Sequence, residues 1–137
     1  AARLMLARMR ELLKHRRDFG FETTLAGKTY AMMLRNMRAA GYELHLFFLW
    51  LPTVDMAIAR VEHRVQQGGH DIPEPLIRRR FETGARNLAR VYLPLFDTWR
   101  IFDNSTLQPR SIARFDGSGL MVKDTNLYPK ILRSSEG

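Results

Sequence analysis

The stretch Tyr42 to Leu51 (YELHLFFLWL) constrains the fold more than any other part of the chain. Its second half is apolar at consecutive positions, so an extended strand there is oily on both faces. Such a strand belongs in a parallel sheet with helices packed on both sides. Pro52 closes it, because proline cannot donate to a ladder. The run includes His45 and is about half the length a bilayer-spanning helix needs, so it does not read as a membrane segment.

The rest of the chain supplies those helices. Ala1 to Arg17 carries Met5, Met9, Leu12 and Leu13 on one face at the helical period, with arginines over much of the remainder. Lys28 to Ala40 repeats the pattern with Tyr30, Met33, Leu34 and Met37, and Gly41 stops it. Val54, Ala57, Ile58, Val61 and Val65 mark a third helix, which ends before Gly68-Gly69. Pro73 and Glu74 open a fourth, with Ile77, Phe81, Leu88 and Tyr92 on one side. Phe19 to Thr24 and Trp99 to Asp103 read as strands. Ser111 to Val122 reads as a hairpin turning at Asp116-Gly117. The last dozen residues read as a short turn or helix with a frayed end. Alternating helices and strands imply an α/β fold with a mostly parallel sheet flanked by helices.

The 137 residues fit one compact domain, and no repeat or low-complexity linker divides them. The absence of cysteine excludes disulfides and thiolate metal sites, and suits a cytoplasmic protein. The four histidines, His15, His45, His63 and His70, have no metal-ligand spacing, so no metal site is expected. No nucleophile-elbow serine is present. The formal net charge of +8 favours anionic partners such as phosphates, nucleotides, nucleic acid or acidic protein. Nucleic acid ranks low among these, because no basic surface interleaved with aromatics is evident.

Two constellations bear on chemistry. The first is Phe21-Glu22-Thr23-Thr24-Leu25-Ala26-Gly27, a carboxylate and two hydroxyls at the C-terminal end of an expected strand. Ligands sit at that edge of an open α/β sheet. Glu22 there can bind a substrate hydroxyl or act as a base. The competing reading is a solvated glutamate and a threonine that caps the next helix. Gly27-Lys28-Thr29 imitates the end of a phosphate loop. That motif needs a glycine at position 22, where Glu22 stands.

The second runs from Arg60 to Arg90. Arg60, His63 and Arg64 end one helix, Gly68-Gly69-His70-Asp71-Ile72-Pro73 forms a connector, and Arg78, Arg79, Arg80, Arg86 and Arg90 line the next. Two arginine-bearing helices joined by a glycine hinge form a lid that can set guanidinium groups on a transferred phosphoryl. The competing reading is a solvated face whose arginines pair with Glu62, Glu74 or Glu82.

FETTLAG, HLFFLWLP, RVEHRVQQGGHDIPEPLIRRRF, then NL, YLPL and W-x-x-x-DNS together resemble the zeta-toxin-like P-loop kinases over about residues 1 to 105. The resemblance implies a P-loop kinase fold with ATP and Mg²⁺ as cofactors. It implies phosphorylation of a small molecule, which in the best-known members is UDP-N-acetylglucosamine or a related sugar nucleotide. By the same resemblance Glu22 and Thr24 contact the substrate, and Arg64 and Arg79 act in catalysis. Arg60, His70, Arg78 and Arg80 approach the phosphates, His70 standing where some relatives carry a lid arginine. Asn87 is structural or lies on the adenine side.

The family's glycine-rich loop and acidic base are not in this sequence. The expected fold therefore lacks the N-terminal P-loop strand, which in the family runs between the FETT strand and the HLFFLWL strand. The chain reads as one partial domain, with a kinase-like core over 1–105, a lid at about 60–90 and a C-terminal extension over 106–137. It is expected to be inactive alone and to require an upstream segment, a complementing chain or a homo-oligomer. The alternatives are a basic binding module for nucleic acid or an acidic partner, and a truncated paralogue stabilised by oligomerisation.

Overall fold

The computed structural model describes residues 2–134. Its helices are α1 (Ala2–Lys14), α2 (Thr29–Ala39), α3 (Val54–Gln66), α4 (Glu74–Asn87) and α5 (Leu127–Ser134). Its strands are β1 (His45–Trp50), β2 (Thr98–Asp103), β3 (Arg110–Asp116) and β4 (Gly119–Val122). The frayed end expected after α5 lies outside the described residues.

The strands form a single sheet in the order β1-β2-β3-β4. β1 and β2 are parallel and in register from His45 opposite Thr98 to Trp50 opposite Asp103. The crossover between them is α3 and α4. Asp97 fixes the start of this pair: its carboxylate accepts from Leu44 N–H at 2.7 Å and its own N–H donates to Leu44 O at 2.8 Å. β3 and β4 are both antiparallel to their neighbours and make the expected hairpin, with Asp116 opposite Gly119. The sheet is therefore mixed, with one parallel pair, rather than mostly parallel.

Flanking on both sides is also not what the structure shows. Trp99 and Ile101 on one sheet face are buried, with α5 on that side, and Trp99 stacks on both Phe115 and Tyr128. On the opposite face Phe47 is 66% exposed and Leu49 53%. The both-faced apolar pattern of β1 was read as two covering layers, yet the described residues cover one. β1 is also the edge of the sheet.

The segment Phe19 to Thr24 belongs to no strand. Nothing among the described residues lies beside it to complete a ladder. It is held by aromatic contacts of Phe19 with Phe21 and Tyr42, and of Phe21 with Tyr30.

The core gathers Met9 from α1, Ala31, Met33, Leu34 and Met37 from α2, Leu44, and Leu88, Tyr92 and Leu93 after α4. Trp99, Ile101, Ile112, Ala113 and Ile131 complete it from the sheet and α5. Leu88, Ile101 and Ile112 are fully enclosed, each contributing roughly 1.5–3 kcal/mol through burial. No described helix is long and apolar enough to cross a membrane.

Candidate functional site

The site is built around the backbone of Thr23 to Gly27. Thr23 Oγ1 accepts the N–H of Leu25 at 3.2 Å, so this threonine closes a local turn and does not cap α2. Leu25 has φ +59° and a buried side chain, an uncommon backbone state for a branched apolar residue. Three residues of the following helical segment hold that state. Asn87, buried, donates Nδ2–H to Leu25 O at 2.8 Å and to Ala26 O at 3.3 Å. Tyr92 donates its hydroxyl to Gly27 O. Gly84 gives the loop room: a Cβ there would stand 2.4 Å from Thr24 O.

Tyr92 reaches Gly27 because α4 passes into a π-helical turn, Leu88–Tyr92, then a short 3₁₀ turn, Leu93–Leu95. The widened turn shifts the phase of the side chains after Asn87, and such turns recur at functional sites. Burial is the main influence on the Tyr92 hydroxyl and pushes its pKa above the ordinary phenolic range, so it remains a donor.

Across from this loop lie α3 and α4. Thr53 caps α3, its Oγ1 accepting Met56 N–H at 3.3 Å. At the other end Gly68, with φ +93°, reverses the chain, and the N–H groups of Gly68 and Gly69 return to Val65 O and Arg64 O. The paired glycines, read as a flexible hinge, are thus a bonded helix stop. Arg60 donates to Asn104 O at 2.6 Å, tying α3 to the end of β2. Asn104 N–H donates to Trp50 O, so the same residue links both parallel strands.

Next to it, Asp103 is buried and accepts from Ser105 N–H at 3.0 Å and Arg110 at 3.1 Å. Burial pushes its pKa up, but hydrogen bonds from Ser105 and Arg110 outweigh that and hold the carboxyl below its ordinary 3.8. The DNS motif is therefore a corner that fixes Arg60, not a freely presented acid.

A cleft of about 1920 Å³ separates the 18–25 segment from β1 and runs under α3 and α4. Glu22 and Thr24 line it, as do Arg60, Arg64 and Arg80. These five, expected from sequence as substrate, phosphate and, for Arg64, catalytic residues, share one hollow. Arg78, Arg79 and His70 do not line it. Arg78 is engaged by Glu74 at 2.9 Å and Asp55 at 3.4 Å, which pins the first turn of α4 to that of α3 and raises the arginine's pKa through the Glu74 hydrogen bond first. Arg79 and His70 are exposed. Sequence reading missed Gly84 and Tyr92 altogether. Tyr92 read as one more position on the apolar face of the fourth helix.

The cleft has cationic groups suited to phosphate oxygens in Arg64 and Arg80. Among the described residues no group of three or more His, Asp or Glu side chains is placed to hold a metal ion.

Comparison with known proteins agrees with the motifs. An uncharacterized protein of Haemophilus influenzae (strain Rd) is 29% identical over 69 residues, covering 50% of this chain and 49% of the relative. The match thus spans about half the length of that relative. No solved structure matches the chain. The family model described as zeta toxin matches residues 1–108, most of the chain and nearly the extent over which the motifs run. The chain belongs to the zeta toxin family.

Proposed function

We propose that this chain forms the substrate-and-lid half of an ATP-dependent small-molecule kinase. The observation that carries the reading is the shared hollow, with Glu22 and Thr24 on one side and Arg64 and Arg80 among the residues closing it. In this reading Glu22 accepts a hydrogen bond from the acceptor hydroxyl and can take its proton as the phosphoryl group is transferred. Thr24 orients that hydroxyl. Arg64 and Arg80 face the transferred phosphoryl, where negative charge spreads in the transition state. Arg60, held by Asn104, sets the angle of α3 so that Arg64 reaches the cleft. ATP, when bound, supplies the phosphoryl group. The acceptor class most consistent with the family is a sugar nucleotide such as UDP-N-acetylglucosamine.

In this reading the glycine-rich loop and metal-binding wall come from another polypeptide segment, for the cleft residues of this chain supply neither. The test is phosphotransfer from radiolabelled ATP to a panel of sugar nucleotides. The isolated chain should transfer nothing, and joining it to an upstream segment with a phosphate loop should restore transfer. Turnover by the isolated chain would overturn the proposal.

A further inference from the structure

Helix α1 and the turn that ends it concentrate the charge of the chain. Residues 3–17 carry Arg3, Arg8, Arg10, Lys14, Arg16 and Arg17 against one carboxylate, Glu11, and so supply five of the eight surplus positive charges. All six cations are exposed. Arg8 is engaged by Glu11 at 3.5 Å, whereas the other five make no ion pair among the described residues. Two of the placements run against local stability. Arg3 stands in the first turn, where the positive end of the helix disfavours a cation and no acid balances it. Arg16 has φ +54°, the left-handed state that glycine ordinarily takes just past a helix end. The turn around it is well formed: Arg16 N–H returns to Leu13 O and Arg17 N–H to Leu12 O, both at 3.0 Å, and Tyr42 donates its hydroxyl to Arg17 O at 3.0 Å. It brings Arg17 back beside Leu12, onto a shallow hollow of about 370 Å³ that Arg8, Glu11 and His15 also line. Arg16 stands at the rim of the large cleft instead. The turn thus spreads cations to both sides of the helix end.

We propose that α1 and its terminal turn form a binding surface for the phosphate backbone of duplex nucleic acid, independent of base sequence. The proposal does not depend on the kinase reading. Arg3, Arg10 and Lys14 lie on one side of the helix, about two turns and then one turn apart, over about 16 Å. One strand of a duplex offers a phosphate about every 3.4 Å of its axis, so this row spans about five phosphates. Arg16 and Arg17 extend the row past the helix end. The other side of α1 is spent on the core, through buried Met9 with Met5, Leu6 and Leu13 packed beside it, so no apolar face is left to enter a bilayer. A protein partner would want apolar or aromatic anchors, and among the described residues of α1 only Leu4 is large, apolar and exposed. Unpaired bases would want rings to stack on, and Phe19, Phe21 and Tyr42 nearby are engaged with one another and with Tyr30. Phosphates need only the cations. Stabilisation of the helix dipole accounts for Lys14 in the last turn, but for neither Arg3 nor the strained Arg16.

The experiment is fluorescence anisotropy of labelled duplex oligonucleotides titrated with the full chain over a range of salt concentrations. Binding should fall linearly on a log–log plot with a slope of about −3 to −5, since five free cations at about 0.9 each set the upper bound. Arg3→Gln, Arg10→Gln and Lys14→Gln together should make the slope shallower by about 2.7, and Arg79→Gln, which removes a charge from α4, should leave it unchanged. Arg16→Gly separates binding from folding. It should raise the melting temperature, because glycine enters the left-handed region freely, yet make the slope shallower by about 0.9. Duplex DNA and duplex RNA should bind within about threefold of each other, as contact with phosphates alone requires. No binding at low salt, a flat salt response, or a slope that the triple variant leaves unchanged would overturn the proposal. So would an Arg16→Gly chain that is more stable and binds with an unaltered slope. Binding to phosphatidylserine vesicles or to poly-glutamate that is as tight as to the duplex at equal charge would also overturn it, by making the surface a general polyanion contact.

Discussion

Gly84→Ala offers the sharpest test of how the substrate wall is held, because two effects oppose each other in sign. Replacing glycine by alanine inside a helix ordinarily stabilises by about 0.8–1.0 kcal/mol. At Gly84 the new Cβ would lie 2.4 Å from Thr24 O. Close carbon–oxygen contacts settle near about 3.3 Å, so the carbonyl must retreat by about 0.9 Å. It cannot do so alone. The next two carbonyls accept from Asn87 at 2.8 and 3.3 Å, and Leu25 is buried at φ +59°. Overpacking a fixed backbone costs about 1–3 kcal/mol, and stretching the Asn87 bonds adds about 1 kcal/mol. The net is a loss of about 1–3 kcal/mol. For a chain of this size that lowers the melting temperature by roughly 3–10 °C, readable by circular dichroism. Asn87→Ala in the same background should cost less than it does alone, since both act on one loop. A melting temperature unchanged or raised by Gly84→Ala would refute the clamp.

Three further outcomes are expected. Thr53→Ala removes the α3 cap and should cost about 1 kcal/mol, with Thr53→Ser restoring most of it, as measured by denaturant unfolding. Asp103 is held below its ordinary 3.8, so its contribution to stability is present above that pH and disappears as pH falls through the lower folded value; Asp103→Asn should flatten this part of the acid unfolding curve, and an unchanged acid limb would count against it. On the proposed kinase reading, Arg64→Ala or Arg80→Ala should lower the transfer rate of the completed protein by about 10²–10³, whereas Arg79→Ala should lower it far less; equal losses would place the lid differently.

The sequence was most legible where a residue's neighbours lie nearby in the chain. The four long helices follow from apolar spacing, and the β3–β4 hairpin from Asp116-Gly117 between short apolar runs. The strand expected at Phe19 to Thr24 was not realised, because a strand exists only with a partner and nothing described lies beside it. The same gap explains why β1, apolar on both faces, ends as a half-bare edge. The mixed sheet was hidden by a different cause: strand direction depends on long-range pairing, which composition does not encode. Glu22, Thr24, Arg60, Arg64 and Arg80 could be nominated from motifs. The clamp could not, for a helical glycine that faces a distant carbonyl looks like any other. Nor did periodicity separate Arg80, which reaches the hollow, from Arg78, which is spent on Glu74 and Asp55.

α4 and its π-helical turn do two jobs within one continuous rod: the N-terminal half bears Arg80 and the C-terminal half grips the loop of Glu22 and Thr24. The two halves are not separable modules. A chimera that exchanged residues 60–92 between relatives would import new guanidinium groups while evicting the foreign loop from its socket at Gly84, Asn87 and Tyr92. Grafts that preserve those three contacts, or transplant residues 21–27 together with the rod, should be the ones that keep acceptor specificity.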